Sequence, residues 1–347
     1  MNSNLNETEN RRCRGLSLLS GGLDSQLAVR ILERAGAEVE CVSFETPFFS
    51  SAAARRAADA LGVRLHVVDF TDDEVALIEN PPHGFGGAMN PCIDCHSAMI
   101  RRAAEMMASL GYDFVATGEV MGQRPMSQNR QALGVVEKTS GAKGRLVRPL
   151  SAKLLEPTIP ETEGLLDREA LLDIQGRCRE RQIALAAKFG ITDYPSPAGG
   201  CKLTEDAYGR KLRDLMEHEG LRLADGKVNR TMLDILKVGR RFRLPGGSSV
   251  ILGRDANENA MLKAIARDLG PAAVLLFPTV DVPGPTALVP VLVAESDRAL
   301  AQSLVNSYVR GTTDADRAAS SMRLTLPWRW MYCELWRPTS VCDDLSP

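Results

Sequence analysis

Short apolar runs alternate with amphipathic segments from residue 15 to residue 117, and this alternation limits the possible folds more than any other feature. Leu27, Ile31 and Leu32 recur at the spacing of one helix face, and Gly36 ends that segment. Strands that alternate with helices form parallel βαβ units, so the sequence predicts an α/β fold with a doubly wound parallel sheet. The predicted strands are 15–19, 39–44, 64–70 and 113–117, and the predicted helices are 26–35, 52–61 and 96–110.

The pattern changes in the remainder of the chain, and the part from residue 205 onward predicts a second, smaller α+β domain. One long helix is predicted over 167–189, a Pro- and Gly-rich stretch follows, and a further helix is predicted over 206–218. Later, a Pro245-Gly246-Gly247 turn separates two short strand-like runs. We therefore expect these divisions: a disordered lead-in at 1–13, a nucleotide-type domain at 14–204, an α+β domain at 205–315 and a tail at 316–347.

Composition narrows the class of protein. Of the 347 residues, 44% are hydrophobic and 25% charged, which is typical of a folded, soluble chain. No apolar run is long enough to cross a bilayer, and the polar start is unlike a secretion signal, so we expect a cytoplasmic protein with no membrane partner. The eight cysteines are irregularly spaced, which argues against a disulfide framework. Clustered cysteines in such a chain are more often metal ligands or catalytic thiols.

The Gly-rich segment after the first predicted strand is the first candidate site. Ser20-Gly21-Gly22-Leu23-Asp24-Ser25 lies between that strand and a helix, where the two glycines allow the backbone to approach a phosphate closely. The helix start offers unpaired N–H groups to an anion, the serines add hydroxyl donors, and Asp24 could hold Mg²⁺. The segment has neither a Walker A ending nor a dinucleotide fingerprint. A simple helix-capping turn is the alternative.

Three cysteines form the second candidate site. Cys92 and Cys95 lie two residues apart at a predicted helix start, where a thiol pKa is expected to be lowered, and Cys201 follows a Gly-Gly pair. The three could ligate an iron–sulfur cluster with one iron left open, or a zinc ion with His96 as fourth ligand. Alternatively, Cys201 and one of the pair could act as persulfide and resolving thiols. For the other cysteines of the folded region, we favour a role as small buried side chains.

The segment after the fourth predicted strand is the third candidate site. It runs Thr-Gly-Glu-Val-Met-Gly-Gln-Arg-Pro-Met-Ser-Gln over 117–128. Because ligands gather at the carboxyl ends of parallel strands, we expect Gly118 to permit close approach of a nucleotide and Gln123, Ser127 and Gln128 to supply hydrogen bonds. A polar surface loop is the alternative interpretation.

These motifs together resemble known families over residues 15–204. The Gly-rich segment is similar to the PP-loop of ATP pyrophosphatases, which have a HUP-like fold, bind ATP and transfer AMP to a carbonyl or carboxylate oxygen. Residues 117–128 are similar to the T-G-E-x-x-G-Q-x-x-S-Q signature of the ThiI-type tRNA 4-thiouridine synthetases, or tRNA sulfurtransferases. Asn90-Pro91-Cys92 and the following residues resemble the 2-thiouridylases of the MnmA type. Arg148-Pro149-Leu150 matches another ThiI-like stretch.

The resemblance implies roles for particular side chains. ATP would be bound with Mg²⁺, and Lys153 would contact the adenylate. Catalysis would depend on Asp24 and the three cysteines. The phosphates would be bound by Ser20, Gly21, Gly22, Asp24 and Ser25, with Phe44 and Gly118 beside the adenosine.

The chain also departs from the ThiI pattern. We expect neither a THUMP domain before the phosphate loop nor a rhodanese-like domain after it. The three-cysteine arrangement then resembles the cluster-dependent thiolases, so we expect Cys92, Cys95 and Cys201 to hold a 4Fe–4S cluster, with zinc as the alternative. The sulfur donor would be sulfide or the persulfide of a cysteine desulfurase.

The second predicted domain has local basic character. Residues 222–254 contain eight Lys or Arg and two Asp or Glu, a net charge of +6 within a chain of net charge −2. Such a surface suits a phosphate backbone, although a solvated surface is an equally ordinary explanation. Residues 239–243 and 253–259 resemble an NFACT-R-type RNA-binding domain. All three tryptophans, at 328, 330 and 336, lie in the tail, for which docking on the core is favoured over base stacking.

The sequence therefore predicts ATP-dependent thiolation of tRNA, in which a uridine carbonyl oxygen is adenylated and then replaced by sulfur. Two other functions stay open: a PP-loop synthetase acting on a small molecule with a structural zinc, as in deazaguanine-forming enzymes, and a non-catalytic RNA-binding protein. Whether the chain forms a homodimer is not decided by the sequence.

Overall fold

The computed structural model describes residues 12–124, 127–196, 200–279, 283–290 and 293–309. The chain divides into two compact units, with the boundary after Thr204. Most of the predicted lead-in and all of the predicted tail, with its tryptophans and the last two cysteines, lie outside the described residues. Among the described residues, none of the helices is long and apolar enough to span a membrane.

The first unit is built on a five-stranded parallel sheet. The alternating pattern predicts its first four strands, whereas the two-residue fifth strand was not predicted. The strands of the sheet lie in the order β3-β2-β1-β4-β5, so the first strand of the chain is the central one. In the register of this sheet, Ser17 lies opposite Cys41 on one side and Ala116 on the other. The strands are β1 (Arg14–Leu18), β2 (Glu38–Glu45), β3 (Leu65–Asp69), β4 (Phe114–Ala116) and β5 (Leu146–Val147).

Helices cover both faces of this sheet. They are α1 (Leu23–Arg34), α2 (Ala52–Leu61), α3 (Thr71–Glu79), α4 (Cys92–Leu110), α5 (Arg130–Ser140), α6 (Ile159–Thr162) and α7 (Glu180–Phe189). Successive side chains of a strand point to opposite faces. Cys41 accordingly packs with α1 and α2 in one core, and Val42 packs with α4 and α5 in the other. The doubly wound α/β prediction is confirmed.

The long helix predicted over 167–189 is wrong. A single 3-10 turn, Arg168–Ala170, precedes an extended stretch, and only α7 is a regular helix there. The N–H groups of Leu172 and Ile174 donate to the carbonyls of Pro149 and Leu150, at 2.9 and 2.8 Å, and Gly176 donates to Met121 at 2.8 Å. These donors are therefore unavailable to a helical ladder. Their partners lie far away in sequence, which periodicity cannot reveal.

The second unit is a four-stranded antiparallel sheet with helices, in agreement with the predicted smaller α+β domain. Its strands lie in the order β6-β7-β9-β8. Side chains of α11 fill one core beneath the sheet, and side chains of α9 and α10 belong to another. The elements are α8 (Asp206–His218), α9 (Arg230–Ile235), β6 (Arg240–Arg243), β7 (Ser249–Leu252), α10 (Ala256–Leu269), β8 (Ala273–Leu276), β9 (Ala287–Pro290) and α11 (Glu295–Ser307).

Candidate functional site

The Gly-rich segment forms a tight loop between β1 and α1. Gly21 has a φ of +79°, a conformation that favours glycine. A Cβ on Gly21 would lie 2.4 Å from the backbone carbon of Ala53, so the neighbouring α2 also excludes a side chain at this position. The local sequence thus has a steric reason for its first glycine. Gly22 has an extended conformation and is the N-cap residue of α1.

Hydrogen bonds within the loop hold its shape. The Ser25 hydroxyl donates to the carbonyl of Gly22 at 2.9 Å, and the hydroxyls of Ser20 and Ser25 are 3.2 Å apart. Gln26 donates its side-chain amide to the carbonyl of Gly21 at 2.9 Å. No side chain caps the start of α1, since the N-cap residue is a glycine. The helix start can therefore offer its backbone N–H groups to an anion, as predicted for a phosphate-binding loop.

Two side chains that are distant from Asp24 in the sequence lie close to its carboxylate. Its Oδ2 accepts a hydrogen bond from the side-chain amide of Gln123 at 3.0 Å and lies 3.9 Å from Nη2 of Arg179. Its Oδ1 is buried and has no hydrogen-bond partner among the described residues. An unpaired carboxylate oxygen beside a phosphate loop has the chemistry that Mg²⁺ selects. The residues present therefore fit the predicted cation.

Gly118 lies against the first turn of α1. A Cβ at this position would be 2.6 Å from the backbone nitrogen of Ser25 and 2.7 Å from the carbonyl carbon of Asp24. The close approach that we predicted between Gly118 and a nucleotide is thus, in this structure, an approach between two backbone segments. It brings the end of β4 directly onto the phosphate loop.

The three predicted cysteines come together in the first unit. Cys92 and Cys95 lie in the first turn of α4, and the amide of Asn90 donates to the sulfur of Cys92 at 3.1 Å. Cys201 lies close enough to both of them for their charges to interact. Its segment is held by a hydrogen bond from the backbone nitrogen of Lys202 to the carbonyl of Phe48 at 2.9 Å. Residues distant in the sequence thus form one thiol cluster.

The expectation of lowered thiol pKa values is wrong for two of these cysteines. Burial raises the pKa of Cys95 well above its usual range, and the negative charge of Glu74 adds to that effect. Burial also raises the pKa of Cys201 to about 12. The sequence indicates a helix start, which stabilises a thiolate, but it does not reveal how deeply the sulfur is buried. The larger effect here is desolvation.

Glu74 of α3 belongs to this cluster and was missed by the sequence analysis. Its carboxyl group shares a hydrogen bond with Cys95, and burial raises its pKa to about 7. The Oε2 atom is buried and unpaired within the described structure. In the sequence, Glu74 is one of three consecutive acidic residues, and nothing there sets it apart.

The geometry of the cluster bears on the choice of metal. In the described part of the chain, no three His, Cys, Asp or Glu side chains are grouped as ligands of a metal ion. A structural zinc ion needs about four ligands around one centre, at about 2.0–2.3 Å from it. An iron–sulfur cluster instead distributes its cysteine ligands over several iron atoms. Three cysteines supply fewer ligands than a zinc site needs, but they are enough to hold a cluster that has one iron without a protein ligand.

Glu119 connects the thiol cluster with the end of β4. Its carboxylate lies 3.3 Å from Nδ1 of His96, accepts from Nε of Arg148 at 2.9 Å and accepts from the hydroxyl of Thr117 at 3.0 Å. Burial alone would raise its pKa, but the opposing charges of Arg148 and His96 and their hydrogen bonds lower it to about 2. Glu119 lies within a predicted motif, yet we did not select it as a site residue.

Family models match both units of the chain. Residues 11–153 match the model of the ThiI family, which is described as thiamine biosynthesis protein. In the second unit, residues 239–323 match the NFACT protein RNA binding domain. Both matches confirm the resemblances on which the sequence analysis relied.

Individual relatives are similar to part of this chain. A tRNA-specific 2-thiouridylase MnmA of Cutibacterium acnes is 37% identical in an alignment of 127 residues, and the match covers 30% of this chain and 33% of that protein. A probable tRNA sulfurtransferase of Caldanaerobacter subterraneus is 34% identical over 115 residues, 30% of this chain and 29% of that protein. The chain thus spans about a third of the length of the curated relatives it matches.

A solved structure is also similar to this chain. It is a 4-thiouridine synthetase–RNA complex with bound ATP, which shares 27% sequence identity and superimposes with a TM-score of 0.34. The match covers 44% of this chain and 39% of that one.

Two residues that the resemblance assigned to the nucleotide have other partners within the first unit. Lys153 donates to the carboxylate and to the backbone carbonyl of Glu169, both at 2.9 Å. The Phe44 ring is buried against Phe70, with ring centroids 5.2 Å apart, which leaves its side chain little surface for a ligand. Gln123, by contrast, reaches the phosphate loop through Asp24.

The segment 117–128 has one residue more than the ThiI-type signature that it resembles. Three residues separate Gln123 from Ser127, where the signature it resembles has two. Ser127 and Gln128 are buried, and Gln128 donates its backbone N–H to the carbonyl of Arg124 at 2.8 Å. These two side chains are therefore part of the folded loop rather than of an open polar surface.

Three arginines of the basic segment in the second unit are paired with carboxylates that lie outside that segment. Arg241, only 1% exposed, and Arg243 both pair with Asp214 and Glu219, at distances between 2.5 and 2.8 Å. Arg254 pairs with Glu258. These three carboxylates lie outside residues 222–254, so a count restricted to that window overestimates the free positive charge. Part of the predicted net charge of +6 is therefore engaged in ion pairs within the fold.

Proposed function

We propose that this chain is an ATP-dependent tRNA sulfurtransferase. It would adenylate a carbonyl oxygen of a uridine and replace that oxygen with sulfur. Support comes from the match of residues 11–153 to the ThiI family, from relatives named as tRNA-modifying enzymes and from the geometry of the two candidate sites. A tRNA substrate would make the cytoplasm the site of action.

One observation carries the proposal: two consecutive residues link the phosphate loop to the thiol cluster. Gly118 packs on the backbone of Asp24 and Ser25, while Glu119 contacts His96, the residue next to Cys95. Both sites therefore meet at the carboxyl end of β4, where ligands of parallel sheets bind. A reaction that consumes ATP and transfers sulfur to the same carbon needs this proximity.

In the first step, the phosphate loop would bind the triphosphate. The uridine carbonyl oxygen attacks the α-phosphorus, the bond from that phosphorus to the bridging oxygen breaks, and pyrophosphate leaves. The N–H groups at the start of α1 and the hydroxyls of Ser20 and Ser25 stabilise its negative charge. Mg²⁺, held through the unpaired oxygen of Asp24, would neutralise further charge on the phosphates.

In the second step, sulfur would displace the adenylate. A sulfide-level sulfur attacks the activated carbon, the carbon–oxygen bond breaks and AMP departs, leaving a carbon–sulfur double bond. An iron–sulfur cluster bound by Cys92, Cys95 and Cys201 would supply an open iron at which that sulfur is held. Cys95 is buried, so water would be excluded from an activated carbon beside this thiol. The unit that matches the NFACT RNA binding domain would hold the tRNA.

The decisive experiment combines metal analysis with nucleoside analysis. The full chain is purified without oxygen, its iron and acid-labile sulfide are counted, and pyrophosphate release and thiouridine formation are measured with ATP, sulfide and bulk tRNA. We expect iron, sulfide and a thiolated nucleoside. Zinc without thiolated product would instead favour a small-molecule synthetase, and RNA binding without pyrophosphate release would favour a non-catalytic protein.

Cysteine variants give this experiment a matched control. Replacing Cys92, Cys95 or Cys201 by Ser should abolish thiolation and lower the iron content. Cys178→Ser should change neither quantity, because Cys178 is exposed, contrary to the buried position that the sequence predicted for it. Equal activity in all four variants would refute the role of the thiol cluster.

A further inference from the structure

Arg179 is a cation at the phosphate loop that no sequence motif indicates. It immediately precedes α7 as its N-cap residue, and its side chain is 16% exposed. The stretch before it is held to the segment that follows β4 by the hydrogen bond from the backbone N–H of Gly176 to the carbonyl of Met121 at 2.8 Å. Arg179 is therefore held by the start of a helix and by a backbone hydrogen bond just before it.

Its contact with Asp24 is loose. The two closest atoms, Nη2 of Arg179 and Oδ2 of Asp24, are 3.9 Å apart, which is longer than a hydrogen bond. Nε of Arg179 is buried and has no hydrogen-bond partner among the described residues. An arginine that a fold uses for stability normally has its donors satisfied. Arg179 therefore has donor capacity that the protein itself does not use.

Three other cations of the first unit are each paired with a carboxylate. Arg56 holds Asp193 at 3.3 Å, Lys153 holds Glu169 at 2.9 Å, and Arg181 holds Asp173 at 2.6 Å. Each of these side chains has a carboxylate within ordinary ion-pair distance. Arg179 combines a long carboxylate contact with an unpaired buried donor, and it does so beside the phosphate loop.

We propose that Arg179 is a phosphate-binding residue of the nucleotide site and acts on the pyrophosphate part of ATP. The inference rests on the proposed use of ATP. The N–H groups of α1 approach the phosphates from one side, and the guanidinium reaches Asp24, in the same loop, from α7. A planar guanidinium donates two parallel hydrogen bonds to a phosphate and keeps its charge at any physiological pH. Arg179 would thereby bind the triphosphate and stabilise the leaving pyrophosphate.

The test compares ligands that contain a pyrophosphate group with ligands that lack one. Binding of ATP, inorganic pyrophosphate and adenosine to the full chain is measured by calorimetry, with Mg²⁺ and without tRNA. Arg179→Gln should weaken ATP and pyrophosphate about tenfold to hundredfold and leave adenosine unchanged, because it removes a charged hydrogen-bond donor. Arg179→Lys should recover part of the loss, since it restores the charge without the paired donors.

Arg181→Gln is the matched control. It lies in the same helix, and its side chain is exposed and already paired with Asp173, so it should bind all three ligands like the wild type. A purely structural role of Arg179 would lower the thermal stability and weaken every ligand equally, which would overturn the inference. Unchanged pyrophosphate binding in Arg179→Gln would overturn it as well.

The pyrophosphate measurement separates this inference from the proposed function. A wild-type chain that binds pyrophosphate but not ATP would refute the proposed function, and the loss in Arg179→Gln would still support the role of Arg179. A wild-type chain that binds neither ligand would refute both.

Discussion

Nδ1 of His96 lies 3.3 Å from the carboxylate of Glu119, and this contact ties the helix that carries the thiol cluster to the strand end that packs on the phosphate loop. The same carboxylate accepts a hydrogen bond from the buried Arg148 at 2.9 Å. Arg148 in turn donates to the carbonyl of Leu133 in α5 at 3.1 Å. Glu119 therefore fixes the relative positions of the elements that carry the two candidate sites.

Glu119→Gln should destabilise the first unit substantially. The substitution leaves the buried guanidinium of Arg148 with only Glu137, at 3.3 Å, as a charged partner. Breaking a buried ion pair on one side costs about 3–5 kcal/mol. Urea unfolding followed by circular dichroism measures the effect. Glu169→Gln is the control: its side chain is 87% exposed, so it should change the free energy of unfolding by less than about 1 kcal/mol.

Glu119 should also make the stability depend on pH at the acidic end. Its pKa is lowered from 4.5 to about 2, so the carboxylate stabilises the fold above pH 4.5, and this stabilisation is lost as the pH falls towards 2. The side chains that face it are Arg148, His96 and Thr117. We expect the wild-type free energy of unfolding to fall more steeply between pH 5 and pH 2 than that of Glu119→Gln. Parallel curves would contradict the assignment.

Much of the fold was predictable because hydrophobic periodicity can be seen in short stretches of the sequence. Apolar runs with the period of a strand alternate with helical periodicity, and this is enough to predict the parallel sheet, α2 and α8. The stretch around Leu172 and Ile174 failed because its backbone pairs with Pro149 and Leu150. Its composition suits a helix, but the long-range hydrogen bonds decide its conformation.

The candidate site was predictable only where a motif marks it. Asp24 and the three cysteines lie in recognisable patterns, and the fold brings the cysteines together. Glu74 and Arg179 lie in segments without a motif and enter the site through tertiary packing. The degree of burial, which raises the pKa of Cys201 to about 12, is likewise a property of the packed structure.

Gly118→Ala should damage both stability and ATP binding. The new methyl group would lie 2.6 Å from the nitrogen of Ser25, a backbone atom of the phosphate loop that cannot move without distorting α1. Gly134→Ala is the matched control, because nothing lies within 4 Å of a Cβ at that position of α5. In a helix interior this change should stabilise by about 0.5–1 kcal/mol. Thermal unfolding should show a lower melting temperature for Gly118→Ala and a higher one for Gly134→Ala. Changes of the same sign in both variants would refute the argument.

Asp24→Asn should separate chemistry from folding. The asparagine can still accept the hydrogen bond from Gln123, so thermal unfolding should stay close to that of the wild type. The unpaired oxygen loses its charge, however, and Mg²⁺ prefers carboxylates. We expect pyrophosphate release in the presence of ATP and tRNA to fall by about a hundredfold or more, since charge stabilisation of this kind is typically worth several kcal/mol. Retained release would exclude Asp24 from the reaction.

Arg240 and Arg243 provide a paired test of the second unit, since both lie in β6. Arg243 is held by Asp214 and Glu219, whereas the guanidinium of Arg240 lies 5.3 Å from the ring centroid of Tyr308, and no ion pair of Arg240 with a carboxylate is present in the described part of the chain. Arg240→Gln should therefore reduce the slope of log K against log salt for tRNA binding by about 1, the contribution of one phosphate contact.

Arg243→Gln should leave that slope unchanged and lower the stability of the second unit instead. Fluorescence anisotropy with labelled tRNA over a range of salt concentrations measures the first quantity, and thermal unfolding measures the second. If Arg243→Gln reduced the slope as much as Arg240→Gln, the internal ion pairs would have to open on RNA binding, and the charge of this segment would act as the sequence count of +6 suggests. If neither changed it, RNA would bind elsewhere on the chain.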